Sequence, residues 1–411
     1  MAVLEFKSVD LIFGRAWQEA LCLVDEGAGR EAVLEKTGAV VGVHDANLAI
    51  EEGEICVLMG LSGSGKSSLL RCINGLNPIT RGELLIDDGG HRIDIASCDA
   101  ATLRRLRTDR IAMVFQQFAL MPWRTVAENV GFGLELKGVS KVERTARVAE
   151  KLDLVGLSQW RDKYAHELSG GMQQRVGLAR AFATDGDILL MDEPFSALDP
   201  LIRQHLQDEL MELQQRLKKT IVFVSHDLDE AMKIGSHIAI MESGRIVQYG
   251  RPEEIALNPA NDYVARFVAH MNPMNVLRGG SLMTPLAALA ETGGALRLGA
   301  GGRVALRLSA DRRPERLTLA GETVTLRHWD GSGEGGAAAW RDSVVAASAD
   351  ITMGEAILIR HMSGNPVLLV EDGQMIGVVG DEEIYRGLLR QTGKSEGGRR
   401  DANRMGDNRD G

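Results

Sequence analysis

Three short stretches of this sequence hold residue types and spacings suited to phosphate chemistry. In MGLSGSGKSSLLR, Met59 to Arg71, Gly60, Gly65, Lys66 and Ser67 fit the pattern G-x-x-x-x-G-K-S/T. Glycines at such positions let backbone N–H groups converge on phosphate oxygens without Cβ interference. A helix starting near Lys66 would aim its positive end at the same anion. Lys66 would add a full charge near the β and γ phosphates, and the Ser67 hydroxyl is suited to ligating Mg²⁺. With the apolar run ICVLM before it and a helical pattern after it, the stretch is predicted to bind nucleotide phosphate rather than to act as a flexible turn.

The second stretch is DILLMDEP, residues 187–194, where four apolar residues lead into Asp192 and Glu193. Asp192 is predicted at the end of a buried strand, placed to hold the Mg²⁺ shell, with Glu193 orienting or deprotonating an attacking water. The third is LSGGMQQR, Leu168 to Arg175, which puts Ser169, Gly170 and Gly171 at a helix start, a second ready anion site. One γ-phosphate can engage both helix starts if two copies of the chain face each other.

The elements that position these stretches follow from hydrophobic periodicity. Strands are expected at 3–13, 41–50, 54–59, 83–87, 111–115, 188–192, 220–224 and 237–241. Helices are expected within 15–37, with an interruption near Gly27, and at 66–75, 141–155, 171–183, 202–217 and 227–234. Strands alternating with helices predict an α/β fold with a largely parallel sheet. Beyond about residue 271 the pattern weakens: 271–278 reads as a linker, and 279–345 is rich in Gly, Ala, Leu and Arg. Order returns at 350–390 as strand, Asp-Gly turn, strand and helix. The last stretch, 393–411, has almost no apolar content and is expected to be disordered.

Composition narrows the class. The chain has 411 residues, 44% apolar and 25% charged, enough for two domains with sizeable cores. Its formal net charge of −10 argues against gripping nucleic acid through its overall field. No apolar run approaches the roughly 18–20 residues that span a bilayer, and the amino terminus lacks a signal-peptide pattern. Cys22, Cys56, Cys72 and Cys98 show no metal-like spacing, which fits a reducing compartment. The basic run LRRLRTDR, 103–110, reads as a solvated helix face rather than a nucleic-acid helix.

Taken with LSGGMQQR, the ordered set of motifs resembles the nucleotide-binding subunit of an ATP-binding-cassette (ABC) transporter over about residues 1–270, with a helical subdomain near 117–180. The resemblance implies a P-loop NTPase core with an antiparallel β subdomain, and ATP with Mg²⁺ as its nucleotide and metal. It adds Ser62, Gly63, Ser64 and Ser68 of the loop and Gln173 of the signature as nucleotide contacts. Gln116 in MVFQQF is similar to the glutamine that meets metal and attacking water, with Gln117 the neighbouring alternative. Asp199 in SALD corresponds to the loop along the dimer interface, and His226 in VFVSHD to the histidine that contacts the γ-phosphate. Phe13 is the candidate adenine-stacking ring and Trp17 its rival; either also suits a core position.

Further likeness points to a subfamily. The insertion at 14–42, INGLNPITRGELLID, RIAMVFQQFALMPWRTVAENVGFG and LIRQHLQDELMELQ are similar to importers of glycine betaine, proline betaine and choline, with 91–110 and MPWRTV most like choline-type members. The likeness implies a homodimer of ATPase subunits, transmembrane permease subunits and an extracytoplasmic substrate-binding protein. It places the chain peripherally on the cytoplasmic face of the inner membrane, with no nucleic-acid partner. ALMPWRTV, 119–126, is then either part of a groove for a short helix of the permease or helical-subdomain core. Residues 279–392 are expected as a smaller α+β accessory domain, 350–390 resembling the second of a pair of CBS modules and 279–345 matching the first poorly. An ABC ATPase acting on DNA or ribosomes is the rival, but long coiled-coil inserts and a second signature are missing; a nucleotide sensor with weak hydrolysis is a third class.

Overall fold

A computed structural model describes residues 2–116, 119–196, 198–269, 271–299, 302–331 and 340–389. Gln117 and the 393–411 tail lie outside them. The chain divides into two compact units: residues up to Ile255 with Ala260–Val264, and Ala256–Pro259 with the residues from Ala265 onward.

In the first unit, strands β1 (Ala2–Phe13), β2 (Val40–Glu51), β4 (Arg81–Asp88) and β5 (His91–Asp94) form an antiparallel sheet in the order β2-β1-β4-β5. Between β1 and β2 the 14–42 insertion folds as two helices, α1 (Trp17–Asp25) and α2 (Arg30–Thr37). They build a small core of Val24 and Val33 against Ile12, Ala39 and Val41.

The second sheet runs β10-β9-β3-β8-β7-β6: Arg245–Gly250, His237–Glu242, Ile55–Met59, Thr220–Val224, Ile188–Asp192 and Ile111–Val114. All neighbours are parallel except β9 with β10. Every residue of β3, β7 and β8 is buried, which is why these strands read as unbroken apolar runs rather than as alternation. The connecting helices are α3 (Lys66–Ile73) and α4 (Ala100–Asp109), then α5 (Val126–Leu136), α6 (Lys141–Leu154) and α7 (Gly170–Ala183), then α8 (Pro200–Leu217) and α9 (Leu228–Ile234).

Strands β5 and β10 and helix α5 were not expected from periodicity. Helix α5 carries Gly131 and Gly133, poor helix formers that hide the pattern. A Cβ on Gly133 would lie 2.2 Å from Thr184 Cγ2, so the glycine is needed for close packing. The basic run forms the end of helix α4 and its C-cap, and three of its guanidiniums turn onto their own chain: Arg105 meets Asp88 at 2.7 Å, Arg107 Nε donates to the Asn74 carbonyl at 2.6 Å, and Arg110 pairs with Asp187.

The second unit corrects one expectation. Residues 271–278 are not a bare linker: Pro273–Val276 is a helical turn capped by Asn272, and Leu277 is buried with Met353, Ile359 and Leu369. Strands β11 (Thr284–Pro285), β17 (Leu326–His328), β18 (Val344–Ala347), β19 (Val367–Glu371) and β20 (Gln374–Val379) form a sheet ordered β11-β20-β19-β18-β17. It is flanked by α10 (Met353–Ser363) and α11 (Asp381–Leu389). Within the weakly patterned 279–345, strands β12 (Glu291–Thr292), β13 (Ala295–Leu298), β14 (Val304–Leu308), β15 (Pro314–Leu319) and β16 (Glu322–Thr323) make an antiparallel meander around Leu296, Leu298, Val304, Leu306, Leu317 and Leu319.

Candidate nucleotide site

Four segments converge because each leaves the carboxyl end of a parallel strand, where an open α/β sheet places its ligand crevice. The loop 60–65 follows β3, Gln116 follows β6, Asp192 and Glu193 end β7, and Ser225–His226 follow β8. Register holds these ends level: Asp192 pairs with Val224, and Leu58 with Val224. The resulting cavity of about 560 Å³ is lined by Ser62, Gly63, Gly65, Lys66, Ser67, Ser68, Gln116, Glu193 and His226, together with Phe13, Arg30, Val40 and Gly42.

The loop is built around backbone that side chains do not fit. Gly60 has φ 142°, and a Cβ there would meet the Met241 carbonyl oxygen at 2.1 Å; Gly65 has φ 103°, and its Cβ would meet the Gly42 carbonyl oxygen at 2.4 Å. Ser64 is buried, and its Oγ lacks a hydrogen-bond partner among the described residues. Lys66 is buried and donates to the Gly60 and Leu61 carbonyls at 2.8 and 3.0 Å. Burial lowers its pKa, opposed by the charges of Glu193 and Asp192.

Asp192 is fully buried and accepts from Ser67 Oγ at 2.7 Å and from Arg71 Nη2 at 2.9 Å. A hydroxyl and a carboxylate in contact are hard oxygen donors of the sort Mg²⁺ accepts alongside phosphate oxygens and waters, so these residues fit that ion. Glu193 has φ 49°, an unusual conformation for a residue with a side chain. Its N–H donates to the Val224 carbonyl at 3.1 Å, and its carbonyl accepts from Ser196 Oγ at 3.0 Å and Gln174 Nε2 at 3.2 Å. Its Oε2 lies 3.2 Å from both Gln116 Nε2 and His226 Nδ1.

Ser169 caps α7 by accepting from the Met172 N–H at 3.4 Å, and Gln173 Nε2 donates to the Ala165 and Leu168 carbonyls, fixing the turn into Gly170 and Gly171. These signature residues do not line the cavity that holds Lys66 and Glu193. Asp199 caps α8 by accepting from Ile202 N–H at 3.1 Å and is likewise outside that cavity. Phe13, at the end of β1, faces the cavity, whereas Trp17 at the start of α1 does not.

Sequence reasoning missed Arg30, Val40, Gly42 and Gln174. The first three reach the site only through tertiary folding of the insertion. Gln174 had a local signal: it follows the two motif glycines on the same helix.

This arrangement, a phosphate loop, an acid-ended strand and a remote second helix start on one chain, defines a P-loop ATPase of the cassette type. The ABC transporter family model matches residues 43–196. The chain is 45% identical over 402 residues to the glycine betaine/proline betaine transport ATP-binding protein ProV of Escherichia coli (strain K12), covering 94% of this chain and 98% of that protein. It is 49% identical to the glycine betaine transport ATP-binding protein OpuAA of Bacillus subtilis (strain 168), covering 74% and 70%. Among solved structures, a dimeric post-hydrolysis ATP-binding cassette, MJ0796 bound to ADP and phosphate, matches with TM-score 0.52 and 33% identity over 60% of this chain and 98% of that one. The chain belongs to the ABC transporter ATP-binding proteins, which hydrolyse ATP to power transport.

Proposed function

We propose that this chain is the ATP-hydrolysing subunit of an importer for quaternary amines of the glycine betaine class, acting as a pair of copies on a membrane permease. The observation that carries the pairing is the separation just described. Lys66, Ser67 and Glu193 share one cavity, while the Ser169–Gly171 helix start that suits the same γ-phosphate lies elsewhere on the chain. A second copy, facing the first, brings its signature to that phosphate. The dimeric form of MJ0796 supports this reading.

In the mechanism, the adenine stacks on Phe13, and the 60–65 backbone with Lys66, Ser67 and Ser68 takes the phosphates. Ser67, Asp192 and Gln116 would hold Mg²⁺, which when bound supplies positive charge to the β- and γ-phosphate oxygens. Glu193 accepts a proton from the attacking water, and Gln116 and His226, each 3.2 Å from its carboxylate, fix its direction. Loss of the γ-phosphate removes the charge joining the two copies, and their separation moves the permease. No helix among the described residues is long and apolar enough to cross a membrane. Trp123, 74% exposed beside a groove of about 510 Å³ with Arg124, Glu128 and Arg144, suits a permease contact better than a core. An extracytoplasmic binding protein supplies the substrate.

The test is uptake of labelled glycine betaine and labelled choline in cells lacking the chain, restored with wild type or Glu193→Gln. Restoration by wild type alone supports the reading. Equal uptake with Glu193→Gln, or no restoration of either substrate, overturns it, and the ratio of the two labels decides between betaine and choline.

A further inference from the structure

The insertion 14–42 packs against the β sheet, and its second helix begins with a cation at the nucleotide cavity. Val33 and Ala20 are fully buried in its own core. Arg81 of β4 clasps Asp25 of α1 with both Nη atoms at 2.8 Å and, through Nε, Asp10 of β1 at 2.6 Å. Gly38, left-handed at φ 67°, ends α2 and returns the chain to β2. This frame fixes Arg30, the first residue of α2, so that its Nη1 donates to the Gly63 carbonyl at 2.9 Å, at the tip of the phosphate loop.

Arg30 also lines the cavity, together with Phe13, Val40, Gly42, Ser62, Lys66 and Ser67. A guanidinium carries five donors in a planar fork, and one bond to a carbonyl leaves others directed elsewhere. Partial burial lowers its pKa by disfavouring the charged form.

We infer that Arg30 is a nucleotide-binding residue: a second fixed cation, supplied by the insertion, that contacts the phosphate chain while bracing the loop at Gly63. It acts on any adenine nucleotide with a phosphate chain, ADP as well as ATP, and adds nothing for adenosine. This rests on the reading that the 60–67 loop holds the phosphates.

The experiment measures binding of fluorescent ATP and ADP, with adenosine as competitor, to Arg30→Ala, Arg30→Lys and Lys66→Ala, alongside thermal midpoints without nucleotide. For Arg30→Ala we expect roughly 5- to 10-fold weaker ATP and ADP binding, the size of a partly exposed charge-assisted contact. Adenosine competition and the nucleotide-free midpoint stay unchanged, and Arg30→Lys restores part of the affinity. Unchanged ATP and ADP affinity in Arg30→Ala, or an equal loss for adenosine, overturns the inference while leaving the loop assignment standing. Retained affinity in Lys66→Ala overturns the loop assignment itself.

Discussion

Replacing Asp192 with Asn tests the best-defined bond network of the site. Asp192 has no exposed surface, and its two carboxylate oxygens each accept one bond, from Ser67 Oγ at 2.7 Å and Arg71 Nη2 at 2.9 Å. Asparagine keeps the shape but turns one acceptor into an NH₂ donor. If its oxygen stays with Ser67, an amide donor faces the guanidinium; if it turns to Arg71, the Ser67 hydroxyl loses its acceptor. A charge-assisted bond contributes about 1.5–3 kcal/mol net. The Arg71 side chain is 40% exposed, so water compensates part of that loss, and the neutral residue also sheds the cost of burying a carboxylate. The balance is a loss of about 2 kcal/mol, equivalent to roughly 4–8 °C in the midpoint of a unit of this size. Turnover should fall much further, on the order of 100-fold, because charge stabilisation at the phosphates goes with it. Differential scanning calorimetry without nucleotide, paired with phosphate release at saturating Mg-ATP, measures both. A midpoint within 1 °C of wild type, or turnover within about 2-fold, would refute the reasoning.

Two further outcomes follow from burial. Glu230 accepts from Ser225 and Gln207 yet burial raises its pKa above the ordinary carboxyl value. A carboxyl with a raised folded pKa binds protons more readily folded than unfolded, so stability is greatest below the ordinary value and falls as pH rises from there through the raised one. Glu230→Gln should therefore gain stability relative to wild type between pH 4.5 and neutral, read from urea midpoints, and a relative loss over that interval would contradict it. Burial also pushes the Cys72 thiol up to about 12 and the Cys56 thiol well above its ordinary value, while Cys22 is exposed. A maleimide at pH 7.5 should label Cys22 first and reach Cys56 and Cys72 only on unfolding, as peptide mapping would show; equal labelling rates would rule this out.

What was legible in the sequence was whatever the chain writes locally. The phosphate loop, Asp192–Glu193 and the LSGG turn each fit within a dozen residues, and their strands were plain because burial on both faces leaves unbroken apolar runs. Helix α5 was missed for its two glycines, although Thr125 and Glu128 form a capping box that marked its start. The meander of the second unit carried a period-two signal, Leu296 with Leu298, Val304 with Leu306, Leu317 with Leu319, in strands too short to stand out. Arg30 illustrates what spacing cannot supply. It lies 33 positions from Gly63, and only the packing of the insertion brings the two together.

The decisive measurement is the mass of the Glu193→Gln protein in solution with and without Mg-ATP, by analytical ultracentrifugation, repeated in the presence of its permease. With hydrolysis blocked and the triphosphate held, the chain should shift from monomer to dimer when ATP is added and return when Lys66→Ala is combined with it. A protein that binds ATP yet stays monomeric under both conditions would show that one copy alone completes the site.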